Sequence, residues 1–477
     1  MLGAGIVGVT AAYLLQTEGV ACVVLEKDRI LQGVTGKTTA KVTSQHGLVY
    51  KTLVDAFGEE KARLHATASQ AALDTVARLV AQTGADAKLV RAPSHVWTED
   101  EKQVKALRQE AETAARLGLP ASFTTQTELP FPVKGAVRFE DQAHFHPRRY
   151  LLKLAEKAEA AGCRIFEQTK VTGIEDGEPC VVETEGGTVR AKHVLVATNV
   201  PVTDKAFYVT RMKAKRDYAL ALPHRGPALR GMYVNVDQPH RSVRPYDGDA
   251  GPMLVVAGEM HLVGERDPED HYARLEAWAR QRFQVGPVEY HWSTQDYFPV
   301  DELPMIGPLT PRAKRTFAAT GFRAWGMTQG TVAALMFADR VRGRSNPWWD
   351  LYDPFAAGRV AKDLVSREFA KEQALVAKEF VLERLARHPA EDLAPGEGQI
   401  ARVGGRIVAM SRDVDGTVRT LSATCTHMGC LLAYNDLERS FDCRCHGSRF
   451  ALDGRVLHGP AVAPLEPVDA PAKRETA

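Results

Sequence analysis

The sequence predicts an α/β protein in which a wound layer of strands and helices is interleaved with an antiparallel, β-rich layer. A small all-β module follows. Three observations carry this reading. A glycine-rich turn opens the chain and leads into helical periodicity. Strand-like and helix-like runs then alternate through residues 1–350. Beyond residue 392, short apolar alternations with turn residues surround a cluster of cysteines and histidines.

Taken in order, Val7 to Glu18 reads as a helix and Ala21–Leu25 as a strand that ends on Glu26. Helices over Lys61–Gln82, Glu101–Leu117 and Arg148–Ala161 follow from apolar residues at three-to-four spacing. Val181–Glu185 and Val189–Ala191 flank a turn at Gly187, and Val194–Ala197 reads as a buried strand. Asp217–Leu222, Met253–Gly258 and Glu289–Thr294 suggest an antiparallel sheet, and Gly326–Val341 reads as a helix. A Pro- and Trp-rich stretch, Asn346–Pro354, marks a boundary. The spacing then predicts a helical linker over 351–391, with Val365, Phe369, Val376, Phe380 and Leu385 on one stripe. Ala401–Val403, Ile407–Ser411 and Gly416–Leu421 are the strands that open the module at 392–477.

Composition narrows the function classes. The chain of 477 residues is 44% hydrophobic and 25% charged, which excludes a disordered or disulfide-scaffold protein. Its 61 basic and 59 acidic residues leave a net charge of +2, so no nucleic-acid footprint is expected. No apolar run approaches the roughly 20 residues of a membrane span, and no signal peptide is evident; a cytoplasmic location is expected.

Cys22, Cys163 and Cys180 read as buried apolar residues, whereas Cys425, Cys430, Cys443 and Cys445 fall within 21 residues. Such clustering argues for a metal site. Cys425-Thr-His427 and Cys443-Arg-Cys445-His446 are separated by fifteen residues, and Cys/His sets also bind zinc. The two loops, with His446-Gly-Ser448 and Gly459-Pro460-Ala461, resemble a Rieske [2Fe–2S] centre. The resemblance implies that Cys425 and Cys443 hold one iron and that His427 and His446 hold the other. It also implies a Cys430–Cys445 disulfide and a shielding loop at Gly459–Ala461. Phe450 stands where high-potential relatives carry a hydrogen-bonding tyrosine; Ser448 is retained.

At the other end, Gly3-Ala-Gly5-Ile-Val-Gly8 matches G-x-G-x-x-G, with Glu26 about twenty residues further on. The glycines admit a pyrophosphate to the helix N-terminus and the carboxylate accepts from ribose hydroxyls, which suits NAD or FAD. Only Met1 and Leu2 precede the turn, where about five strand residues are usual; either the start lies upstream or this strand is shortened, which would weaken the fold and cofactor affinity. Asp296–Gly307 and Thr320–Gly330 resemble the flavin-contacting segments of the D-amino-acid oxidase/glycine oxidase superfamily. His146-Pro147, Lys170–Ile174 and Thr35–Thr39 fit the same pattern. With the C-terminal module, the chain resembles flavin–Rieske fusion oxidoreductases.

That resemblance implies FAD held by Gly3, Gly5, Gly8, Glu26, Thr38, Thr39, Val171, Gly307, Gly326, Met327 and Thr328. Asp296–Gly307 lacks the cysteine to which some relatives attach flavin, so noncovalent FAD is expected, with His46 and His146 as alternative attachment points. The domain at 1–350 is then expected to oxidise a small amine or amino acid by hydride transfer. Its electrons pass through the cluster to an unidentified one-electron acceptor; the alternative is an electron-transfer or redox-sensing protein without its own substrate. Lys41 is a candidate near the flavin, and Arg211, Arg216, Arg244 and Tyr246 are candidates for holding a substrate carboxylate.

Overall fold

The computed structural model describes residues 1–265, 270–360 and 389–468, together with 370, 374 and 384. Most of the linker helix expected at 351–391, including its whole apolar stripe, lies outside the described residues. At its start, Trp349–Tyr352 forms one short helix.

The parallel layer is built around the first two residues. Leu2 bridges Leu25 on one side and Val196 on the other, both in parallel. Four backbone hydrogen bonds of 2.8–2.9 Å tie Met1–Gly3 to Leu25, Leu195 and Ala197. Val23–Leu25 pairs outward with Arg164–Phe166, while Val194–Val196 pairs with Thr316–Thr320. Strand Met305–Pro308 closes that side antiparallel to Thr316–Thr320. The helix at Ile6–Gln16 is buried along nearly its whole length, which its Ile, Val, Ala and Leu content permits. It packs on the helix Gly326–Val341, where a Cβ on Gly330 would come within 2.8 Å of Ile6. Strands Val171–Glu175, Cys180–Thr184 and Gly187–Ala191 form a separate three-stranded sheet.

The β-rich layer, expected to be antiparallel, is a mixed nine-stranded sheet: Met232–Asn235 runs parallel to Val90–Thr98 and the other pairs are antiparallel. Its principal path runs from Tyr290–Pro299 through Met212–Pro223, Gly251–Leu262, Arg241–Gly248, Met232–Asn235, Val90–Thr98 and Gly135–His144 to Lys41–Val42. The three strands foreseen here are all longer than their apolar patterns suggested. Tyr290–Pro299 absorbs Asp296–Pro299, which had read as part of a separate segment. Polar residues such as Arg216, Gln295 and Tyr297 sit inside these strands because the packed face supplies them with partners, so the sequence alternation is masked. Leu275 and Ala279 of the helix His271–Arg282 join Tyr218, Leu220, Leu254 and Val256 in the core against one face.

The C-terminal module consists of two antiparallel sheets. Gly398–Val403, Arg406–Arg412 and Val418–Ser422 form the first. Leu432–Asn435, Ser440–Cys443, Arg449–Ala451 and Val456–His458 form the second. Its core contains Ala409, Leu421, Phe441, Phe450 and Leu465 together with Cys425, Cys430 and Cys443. No helix among the described residues is long and apolar enough to cross a membrane.

Candidate functional site

The glycine turn is shaped by contacts that exclude any side chain. Gly3 has φ +98°, and a Cβ there would lie 2.5 Å from the Ala197 carbonyl oxygen. A Cβ on Gly8 would fall 1.9 Å from the Gly3 carbonyl oxygen, and one on Gly5 would come within 2.9 Å of Thr35 Oγ1. The helix beyond has no side-chain cap and no acidic residue in its first turn; Ile6 N–H donates to Thr35 Oγ1 at 3.1 Å. Its positive end therefore suits an anion. Glu26 Oε2 accepts from Ala4 N–H at 2.8 Å, which fixes the carboxylate beside the turn. These features fit a dinucleotide.

Thr38 Oγ1 accepts from the Ala40 amide at 3.1 Å, and Thr39 Oγ1 accepts from Lys41 Nζ at 3.1 Å. Lys41 is buried and also donates to Ser242 Oγ. Burial, then the nearby Arg244 charge, pushes its pKa down to about 7. Asp217, recessed on the same side of the sheet, is pushed up to about 7 by burial, with Lys41 opposing. Arg244 clamps backbone: it donates to the carbonyl oxygens of Thr39, Pro245 and Phe145, and its Cζ lies 5.6 Å from the Tyr246 ring. Arg211 likewise donates to the Pro354 carbonyl at 2.8 Å.

The helix at Gly326–Val341 starts without a cap or first-turn acid, and its first residues are locked to the Lys41 segment. Thr43 N–H donates to Thr328 Oγ1 at 3.0 Å, and that hydroxyl donates back to the Thr43 carbonyl at 2.9 Å. Met327 is buried beside them. Gly307 lies in strand Met305–Pro308, where a Cβ would meet Pro354 Cδ at 2.4 Å; the contact there is with chain. Val171 opens strand Val171–Glu175. The His46 and Trp325 rings lie tilted at 31° with centroids 5.0 Å apart, and His146 caps the helix at Pro147.

In the C-terminal module Cys430 and Cys445 form a disulfide. Cys425 and Cys443 are free, buried thiols. A hydrogen bond with Cys443 draws the Cys425 thiol down to about 7. The rings of His427 and His446 stand 5.2 Å apart at 82°. Each has a buried Nδ1 without a hydrogen-bond partner among the described residues. Buried polar atoms are rarely left unpaired, so two thiols and two unsatisfied imidazole nitrogens fit an iron–sulfur cluster. Ser448 Oγ accepts from the Ala461 amide at 3.0 Å, which fastens the Gly459–Ala461 loop over the site. Phe450 is fully buried in the module core.

The two halves meet through residues that sequence patterns did not single out. Arg216 points away from Lys41 and pairs with Glu438 and Ser293 Oγ, which makes it an interdomain contact where a substrate ligand was expected. Its placement follows from strand alternation, because Asp217 takes the opposite face. Gln295 Nε2 donates to the Gly447 carbonyl at 2.7 Å and Tyr297 Oη to the Gly459 carbonyl at 2.9 Å. Asn199 Nδ2 approaches His458 Nε2 at 3.2 Å. Only the strand periodicity around Gln295-Asp-Tyr297 could have signalled two opposed faces.

The family model for FAD dependent oxidoreductases matches residues 2–340. The chain belongs to that family. A Rieske [2Fe-2S] domain model matches residues 384–469. This FAD-dependent oxidoreductase is 33% identical to the Bacillus subtilis (strain 168) protein YhfW, whose name describes a Rieske 2Fe-2S iron-sulfur protein, over 98% of this chain and 92% of that one. It is 22% identical to the gamma-glutamylputrescine oxidoreductase of Escherichia coli (strain K12), over 76% of this chain and 88% of that one. The fold resembles glycine oxidase from Geobacillus kaustophilus with a TM-score of 0.62 at 19% identity, covering 74% of this chain and 95% of the other. The oxidoreductase uses FAD and a [2Fe–2S] cluster, which removes the NAD and zinc alternatives.

Proposed function

We propose that this oxidoreductase oxidises a small amine or amino-acid-like substrate at FAD and passes the electrons singly through its [2Fe–2S] cluster. The observation that carries the proposal is the seating of the cluster loops on the sheet whose other face bears Lys41 and Asp217. FAD bound there would supply a hydride acceptor, and the [2Fe–2S] cluster a one-electron carrier.

The chain's own residues supply binding and proton handling. Gly3, Gly5, Gly8 and the helix behind them receive the pyrophosphate, Glu26 the ribose, and Val171 the adenine side. Thr38, Thr39 and Gly307 belong to segments lining the bound cofactor. The uncapped helix N-terminus at Gly326, Met327 and Thr328 would stabilise the negative charge that a bound flavin gains on reduction. No cysteine occurs in Asp296–Gly307, which favours noncovalent FAD. Cys425 and Cys443 would hold one iron, and His427 and His446, through their unpartnered Nδ1 atoms, the other. An amine gives hydride only with its nitrogen lone pair free, so its ammonium proton must leave first. Lys41, whose pKa burial pushes down to about 7, and Asp217, whose pKa burial pushes up to about 7, would take it. Arg244 keeps the Lys41 segment in place, with Tyr246 beside it.

Anaerobic mixing with a panel of amines and amino acids tests the reading: at least one should bleach the flavin. Bleaching by none would leave an electron-transfer role without a small substrate. Lys41 loses its proton as pH rises through about 7, so the bleaching rate should climb through that range and level off above it. Asp217→Asn removes a carboxylate that helps keep the lysine charged, and should move the inflection lower. Lys41→Met should remove the lysine's inflection and, because Lys41 holds the Asp217 pKa down, leave any remaining one above that of wild type; an unchanged inflection in that variant would assign it elsewhere.

Ser448 sets a second expectation. Its hydroxyl hydrogen-bonds Cys425 and helps to lower that thiol's pKa. Hydrogen bonds to cluster sulfurs favour the added electron, so Ser448→Ala should lower the cluster potential and Phe450→Tyr, if its hydroxyl reaches a sulfur, should raise it. Protein-film voltammetry of the holoprotein reads both. A potential unchanged by Ser448→Ala would show that this hydroxyl does not act on the cluster.

A further inference from the structure

Strands Met212–Pro223 and Tyr290–Pro299 form a wall with different chemistry on each side. Directly opposed residues of an antiparallel pair project to the same face, and neighbours along each strand alternate. The register opposes Ala214 to Tyr297 and Arg216 to Gln295, and in between opposes Lys215 to Asp296 and Asp217 to Thr294.

The first set faces the cluster module. Gln295 and Tyr297 donate to the carbonyls of Gly447, which follows His446, and of Gly459, which opens the shielding loop. Contact is tight: a Cβ on Gly447 would fall 2.3 Å from the Ala214 Cβ, and one on Gly459 would come 3.1 Å from Val200 Cγ1. No water layer fits there. Half-buried His458 is held between Gln295 Nε2 and Asn199 Nδ2, at 3.2 Å from each. The second set faces the other way. Asp217 lies within electrostatic reach of Lys41, and Asp296 Oδ2 accepts from the Ala324 amide at 2.6 Å, just before the helix that begins at Gly326. Three consecutive residues, Gln295, Asp296 and Tyr297, therefore grip the cluster loops on one side and the approach to that helix on the other.

We propose that this wall is the electron route between FAD and the cluster, and that Gln295 and Tyr297 are positioning residues that hold the cluster loops against it. The inference rests on the relay reading above and adds where the relay runs. Each passage moves one electron from reduced flavin and converts one ferric iron of the cluster to ferrous. The second electron follows once an external one-electron carrier has reoxidised the cluster.

The test uses the full-length holoprotein with Tyr297→Phe, Gln295→Leu and the double variant. Flash photoreduction by a deazaflavin loads a single electron without any amine, and its redistribution between flavin and cluster is followed optically. Wild type should show an intramolecular phase independent of protein concentration. Tyr297→Phe should slow that phase severalfold, and the double variant by roughly tenfold or more, because buried carbonyls lose their donors. Cluster electron paramagnetic resonance, both midpoint potentials and iron and flavin contents should stay as in wild type, while amide exchange rises across 443–461. A wild-type rate in the double variant would overturn the proposal. Should that variant lose its cluster, Tyr297→Phe, which keeps the ring, decides by the same rate. Absence of any intramolecular phase in wild type would instead sink the relay reading itself. Failure of every amine in the earlier panel would leave this experiment unaffected.

Discussion

Cys443→Ser is expected to empty the cluster site, taking iron from about two per chain to near zero and erasing the reduced-state electron paramagnetic resonance signal. Cys443 is buried at the end of strand Ser440–Cys443, and its amide donates to the Ser448 carbonyl at 2.7 Å. The thiol is thus held on a hairpin that cannot swing another ligand into its place. Cys430 and Cys445 are bonded to each other and cannot substitute. His446→Cys should behave differently: a thiolate adds negative charge in place of a neutral imidazole. A retained cluster should then move toward the all-thiolate spectrum and a lower potential, with Rieske centres at about −150 to +300 mV and plant-type ferredoxins near −400 mV. A wild-type spectrum in both His427→Cys and His446→Cys would remove these histidines from the ligand set.

Gly8→Ala should have the largest effect at the nucleotide end. Its new methyl would be placed 1.9 Å from the Gly3 carbonyl oxygen, a backbone atom with little freedom to move. Gly3 is fastened by its amide to the Leu25 carbonyl at 2.8 Å and borders the Ala197 carbonyl on its other side. Relief would require the helix to pull back from the turn, at a cost of roughly 3 kcal/mol or more, a large share of the stability of a typical domain. The variant should purify without FAD and melt well below wild type. Gly186→Ala is the control, since a Cβ there meets nothing within 4 Å. Full FAD retention by Gly8→Ala would show that the turn can open without losing the cofactor.

What could be read from the amino-acid order alone is what short spacing dictates. Three glycines within six residues force backbone proximity before any long-range contact forms, and the carboxylate of Glu26 needs only one strand to reach Ala4. The proposed cluster donors lie on two tight loops, so their convergence is largely local, and the helix at Gly326–Val341 was legible to its ends because its punctuation is local as well. The charged residues of the β-rich layer were not legible in this way. Arg216 and Asp217 are adjacent in the chain, yet one meets Glu438 222 residues away while the other lies within electrostatic reach of Lys41. Lys41 is bonded to Ser242 at a separation of 201 residues, and its lowered pKa follows from burial that only the assembled sheet provides. Alternation along a strand states that neighbours part, but not which face will be covered by which partner. That assignment came from docking the C-terminal module on Gln295 and Tyr297, because burial and unpaired hydrogen-bonding groups are properties of the packed interface and have no local sequence signature.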